Sequence, residues 1–117
     1  MKLAIIGWGN VGRALGRLLK QKRREFPFTI TGIHTLRHGT AIDPAGLSWD
    51  AIEAARFGPP APSIEAFLDA ARANCAVELT TLDPAAGEPA IGHIRAAFAR
   101  GLRYLRALSV HHHATVA

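Results

Sequence analysis

The chain has 117 residues, 49% of them apolar and 20% charged, a length and balance that fit one globular domain and exclude disordered or fibrous classes. Fourteen basic residues against nine acidic ones give a net charge of +5, which favours anionic partners, nucleic acids and phosphorylated cofactors alike. No apolar run approaches the roughly 18 residues of a membrane span and no signal-peptide pattern opens the chain, and the single cysteine, Cys75, excludes an internal disulfide; the expectation is a cytoplasmic protein with Cys75 as a small buried hydrophobe.

Lys2 to Ile6 reads as a short apolar strand, and from Val11 to about Arg23 apolar residues at 11, 14, 15, 18 and 19 recur at helical spacing. The basic run Lys20-Gln21-Lys22-Arg23-Arg24 falls where that helix ends, so its cations complement the helix dipole; a nucleic-acid patch is the other reading. Phe28 to Leu36, rich in β-branched and aromatic residues and entered at Pro27, predicts a second strand. His38 to Leu47, with Gly39, Pro44 and Gly46, reads as an irregular connection.

Ser48 is placed to cap a helix through Arg56, which the Gly58-Pro59-Pro60-Ala61-Pro62 stretch terminates. Ser63 is a second N-cap, opening an amphipathic helix to about Ala73 with apolar positions at 64, 67, 68 and 71. Ala76 to Thr80 is strand-like, Asp83-Pro84 starts a turn, Pro89 to Arg100 predicts a helix stopped at Gly101, and Leu102 to Val110 a fourth strand. The order implies an α/β domain over residues 1–110, a parallel sheet of about four strands with helices on both faces. Residues 111–117, with His111-His112-His113, read as a loose tail.

Between the first strand and helix stands Gly7-Trp8-Gly9-Asn10-Val11-Gly12, a G-x-G-x-x-G turn in the context its mechanism requires, which makes the expected fold Rossmann-like. Gly7 permits the tight turn, Gly9 admits a pyrophosphate close to the backbone, and Gly12 allows the helix to pack closely on the first strand. The helix N-terminus offers N–H groups and a positive dipole end to phosphates. Trp8 and Asn10 flank the cofactor in this reading, with Trp8 covering the sheet edge as the alternative.

The carboxylate that usually follows the second strand, to bond the adenosine ribose, is absent; Thr35, Arg37 and His38 stand in its place. An arginine there suits a 2′-phosphate by charge and by its fork of donors, so NADP is expected over NAD, unless Arg37 is only a solvated loop cation. Thr80 and Thr81 end the third strand at a carboxyl edge, where α/β sheets place ligands, although threonine also simply favours strands. The histidines have no metal-ligand spacing, and no nucleophile, base and orienting acid line up.

Taken together, the segment Ile5 to Arg13, the Thr35-Leu36-Arg37-His38-Gly39 loop leading to Ile42-Asp43-Pro44, and Glu78-Leu79-Thr80-Thr81 resemble the N-terminal domain of homoserine dehydrogenases over about residues 2 to 101. The resemblance implies an oxidoreductase setting: hydride transfer between aspartate semialdehyde and homoserine with a nicotinamide dinucleotide, on the route to threonine and methionine. It implies cofactor roles for Trp8, Gly9, Asn10, Val11, Arg37, His38 and Thr80, and no catalytic residue in this chain. In that family the next strand leads to a Thr-Ala-Asn-Lys segment whose lysine lies near cofactor and substrate; here Leu102 to Val110 differs, as a truncation or frame change would produce. The chain alone is therefore expected to be inactive, and to associate with itself only where the substrate-binding and dimerising domain is supplied. A free-standing NAD(P)-binding or sensing module is the alternative. A nucleic-acid binder lacks the interleaved aromatics that base stacking needs, and a membrane partner lacks a segment to contact it.

Overall fold

The computed structural model describes residues 1–80 and 90–106. Its organising element is β1 (Lys2–Ile6), which is buried from Leu3 to Ile6. Leu3 and Ile5 enter the core on one side while Ala4 and Ile6 enter the core on the other. A strand apolar on both faces belongs in the middle of a covered sheet, and β1 lies there, in the order β3-β2-β1-β4-β5. The other strands are β2 (Thr29–His34), β3 (Thr40–Ile42), β4 (Cys75–Glu78) and β5 (Arg103–Arg106). β1 pairs in parallel with β2 and β4, and β4 in parallel with β5.

Helices α1 (Asn10–Gln21) and α2 (Trp49–Glu53) supply Leu19 and Ile52 to one face, where Trp8 packs with them over Leu3, Ile5, Ile33 and Val77. Helices α3 (Ile64–Ala71) and α4 (Ala90–Ala99) cover the other face with Phe67, Leu68, Ala71, Ala96 and Ala97. That face is lined by small residues, and Phe67, with no exposed surface, is its largest filler; such a side chain contributes about 1.5–3 kcal/mol by leaving water. Cys75 is buried and free, as a small hydrophobe.

Among the described residues the sheet has five strands where the sequence predicts about four. The extra one, β3, lies in the stretch read as an irregular connection and pairs antiparallel with β2, Gly32 opposite Ile42 and His34 opposite Thr40. Three residues are too few to display a period, and the strand exists through its tertiary pairing. The predicted helix from Ser48 through Arg56 is shorter than read: α2 stops at Glu53, with Ala55 at φ +53° just beyond it; β5 is described from Arg103 to Arg106. Residues 107–110 of the predicted last strand, the Asp83-Pro84 turn, Thr81 and the histidine tail lie outside the described residues.

The basic run sits at the end of α1, as dipole complementation predicts. There Lys20 pairs with Glu53, Lys22 with Glu25 at 3.5 Å, and the Arg23 guanidinium donates to the Lys20 carbonyl at 2.7 Å. Among the described residues no helix is long and apolar enough to cross a membrane, and no group of three or more His, Cys, Asp or Glu is placed to hold a metal ion.

Candidate functional site

The carboxyl ends of β1, β2 and β4 are tied together before any side chain contributes. The Gly7 N–H donates to the His34 carbonyl at 2.8 Å and the Leu79 N–H to the Ile6 carbonyl at 2.7 Å. Gly7 turns there with φ +98°, and a Cβ on it would lie 3.1 Å from the Leu79 and Thr80 backbone. Both the dihedral and the close approach call for glycine.

Gly12 serves a different contact. A Cβ at Gly12 would come within 2.8 Å of the Trp8 ring, and one at Gly16 within 3.0 Å. The indole of Trp8, 7% exposed, therefore lies along a glycine-floored stripe of α1. The sequence assigns Gly12 to packing of the helix on the first strand; the neighbour it admits is the Trp8 ring. Beyond Trp8, a cavity of about 300 Å³ is lined by Arg13, Gly16, Arg17 and Ile52.

Gly9 is required by neither kind of contact. It is the N-cap of α1 at φ −103°, and a Cβ there would meet no atom within 4 Å. No side chain caps α1 and no acidic residue lies in its first turn, so its first N–H groups carry positive potential without an internal anion. The surface outside Gly9 is the kind of cradle that a side chain would fill and a phosphate fits.

The opposite wall is the loop after β2. Thr35, buried, accepts from the His38 N–H at 2.8 Å and donates its hydroxyl to the Gly39 carbonyl at 2.7 Å. This staple consumes the Thr35 side chain and leaves Leu36, Arg37 and His38 exposed on the loop tip. Gly7, Trp8, Gly9, Leu36, Arg37, His38 and Thr80 thus line one open crevice of about 330 Å³. Of the sequence-predicted residues, Asn10, Val11 and Gly12 form the first turn of α1 beside this crevice and do not line it, and Thr81 lies outside the described residues.

Sequence reasoning missed the neighbouring polar cluster. Glu78, the last residue of β4, has no exposed surface. Its carboxylate accepts from His93 Nδ1 on α4 at 2.6 Å, from the Tyr104 hydroxyl on β5 at 3.2 Å, and from the Thr80 hydroxyl. Burial raises the pKa of Glu78, but the hydrogen bonds from His93, Thr80 and Tyr104 outweigh it, so the group titrates below its ordinary range. Burial and the nearby Glu78 charge push the Tyr104 phenol well up. His34, stacked on Phe67 with ring centroids 5.1 Å apart, is pushed down by burial and by repulsion from His93. The only hint in the sequence is a carboxylate closing an otherwise apolar strand; Thr80 is two residues on, but the other two partners are 15 and 26 residues away.

A mostly parallel sheet covered on both faces, with a glycine turn at the carboxyl edge of its central strand, defines a Rossmann-like α/β domain. In sequence this domain is similar to an NAD(+)-dependent homoserine dehydrogenase of Pseudomonas canavaninivorans, 30% identical over 86% of this chain and 33% of that protein. In fold it is similar to the homoserine dehydrogenase of Thermoplasma acidophilum, with a TM-score of 0.77 at 22% identity over 91% of this chain and 34% of the other. A hyperthermophilic archaeal homoserine dehydrogenase in complex with NADPH superposes with a TM-score of 0.71 at 19% identity, over 90% and 34% of the respective chains. No family model matches. The resemblance to homoserine dehydrogenases read from the residues is thus present in sequence and in fold, and the chain spans about a third of the length of these relatives.

Proposed function

We propose that the chain is an NADP(H)-binding domain of the homoserine dehydrogenase type, formed by residues 1–110, with 111–117 as a tail. The observation that carries this reading is the crevice itself. It sets an uncapped helix start and the open backbone of Gly9 against a loop whose exposed polar side chains are Arg37 and His38, with no carboxylate on either wall. Such a pair of walls suits a dinucleotide with three phosphates, the pyrophosphate at Gly9 and the 2′-phosphate at Arg37. A carboxylate in place of Arg37 or His38 would repel the latter. NADPH is bound by the archaeal neighbour, whereas the Pseudomonas relative is named as NAD(+)-dependent; the Arg37 loop favours the phosphorylated cofactor here, with NAD the weaker ligand.

A nicotinamide cofactor held in this crevice would supply the hydride chemistry. The chain's own residues hold the cofactor and orient it, and the exchange of aspartate semialdehyde with homoserine belongs to the whole enzyme, with the substrate-binding and dimerising part lying outside this chain. A homo-oligomer is expected only where that other part is present. In this reading the chain alone binds cofactor stoichiometrically without turning over homoserine.

Calorimetric titration at moderate salt tests the proposal. NADPH is expected to bind the chain at least tenfold more tightly than NADH, and Arg37→Ala to weaken NADPH by about 10- to 100-fold while leaving NADH nearly unchanged, as loss of charge-assisted bonds to a phosphate does. Equal affinities for the two cofactors in the unaltered chain would remove the role of Arg37, and binding of neither would overturn the function.

A further inference from the structure

Glu78 is a buried carboxylate at the carboxyl edge of the central sheet, outside the glycine turn and the Arg37 loop, and it joins three elements. His93 on α4, Tyr104 on β5 and Thr80 just after β4 all direct a hydrogen bond to it. An ionised carboxylate only accepts. With the Glu78 charge stabilised by those bonds, each partner must be the donor, and the single hydroxyl proton of Thr80 is committed inward.

Thr80 also lines the crevice, where a Cβ at Gly7 would touch its methyl carbon at 3.1 Å. With its proton committed to Glu78, what its oxygen still has to offer a ligand is lone pairs. A phosphate oxygen, an acceptor, gains nothing there; an amide or hydroxyl group does.

We propose that Glu78 is a positioning residue that fixes Thr80 as a hydrogen-bond acceptor on the crevice wall, and that the cofactor group seated there is a donor, the nicotinamide carboxamide nitrogen or a ribose hydroxyl. The inference rests on the cofactor reading above and adds polarity to it. The phosphates lie toward the α1 start and Arg37, and the donor-bearing half of the dinucleotide lies against Thr80. The network also satisfies a carboxylate at a fully buried position, and in this reading that carboxylate holds one proton away from the ligand.

The test compares ligands on the full chain. NADPH, its 3-acetylpyridine analogue, whose ketone methyl replaces the carboxamide nitrogen, and adenosine 2′,5′-bisphosphate, which lacks the nicotinamide half, are titrated against the unaltered chain, Thr80→Val, Thr80→Ser and Glu78→Gln. Thr80→Val is expected to lose about five- to tenfold in NADPH affinity, Thr80→Ser to bind like the unaltered chain, and the bisphosphate to bind all variants equally. If the acetylpyridine analogue binds the unaltered chain as weakly as Thr80→Val binds NADPH, the donor is the carboxamide. If Thr80→Val loses the same factor on both dinucleotides, the donor is a ribose hydroxyl. Both results support the acceptor role.

Glu78→Gln turns an amide donor toward Thr80 and is expected to reproduce the loss for NADPH with the bisphosphate unaffected. A folded Glu78→Gln that binds NADPH normally overturns the positioning role. Thr80→Val binding NADPH as the unaltered chain does overturns the whole inference, and this arm decides the matter even where Glu78→Gln fails to fold. An unaltered chain that binds the bisphosphate but shows no Thr80 effect sinks only this inference; one that binds neither bisphosphate nor NADPH sinks the cofactor reading itself.

Discussion

Helices α1 and α3 both start at the carboxyl edge of the sheet, on opposite faces, and they solve the same local problem in opposite ways. The first N–H groups of a helix have no partner within it. At α3, Ser63 accepts from the Ala66 N–H at 3.0 Å and Glu65 adds negative charge to the first turn. The short α2 repeats the solution with Ser48, Ala51 and Asp50. At α1 the cap is Gly9, with neither a side-chain acceptor nor an acid nearby. A helix start completed from within has no further use for an anion, and one left open beside Arg37 and His38 remains complementary to it. The difference separates helix starts that the chain completes for itself from one whose first N–H groups it leaves open.

The sharpest break of that comparison is expected at Gly7. Its φ of +98° and the 3.1 Å approach to the Leu79 and Thr80 backbone make Gly7→Ala costly to the fold itself, by about 2–3 kcal/mol. Urea denaturation followed by circular dichroism measures it. A Gly7→Ala chain as stable as the unaltered one would mean that the turn does not need the conformation described.

Gly9→Ala is the complementary change, next in size. Its Cβ meets no protein atom, so the folding free energy should change by less than about 1 kcal/mol, the scale of an N-cap substitution. NADPH affinity should fall by about tenfold, close to 1.4 kcal/mol, read by fluorescence titration. If instead folding weakens and affinity is kept, Gly9 belongs with Gly7 among the structural residues.

Much of this division is legible in the sequence because its signals are local. Gly7, Gly9 and Gly12 sit within six residues between an apolar strand and an amphipathic helix, and Ser48 and Ser63 stand directly before helical spacing. What escaped was carried by pairing across the fold. β3 exists through three register contacts with β2, and the Trp8 ring is placed by Gly12 and Gly16 one and two turns further along α1. The Glu78 cluster draws donors from two later elements. A single sequence displays neither hydrogen-bond partners nor the face a side chain reaches, so Thr35 stood beside Arg37 and His38 as a candidate ligand contact, whereas its hydroxyl is occupied by Gly39.

The smallest expected effect closes the comparison from the other side. Ser63→Ala removes the acceptor for the Ala66 N–H and should cost about 1 kcal/mol of stability, a shift of several degrees in thermal midpoint for a domain of this size. Ser63 does not line the crevice, so NADPH affinity should be unchanged. Combined with Gly9→Ala, the two losses should appear side by side, one in the melting curve and one in the binding isotherm, because the two helix starts share no partner. Coupling between them, with Ser63→Ala weakening cofactor binding, would mean that α3 and α1 act together at the sheet edge and that capping inside the chain and anion binding outside it are not independent.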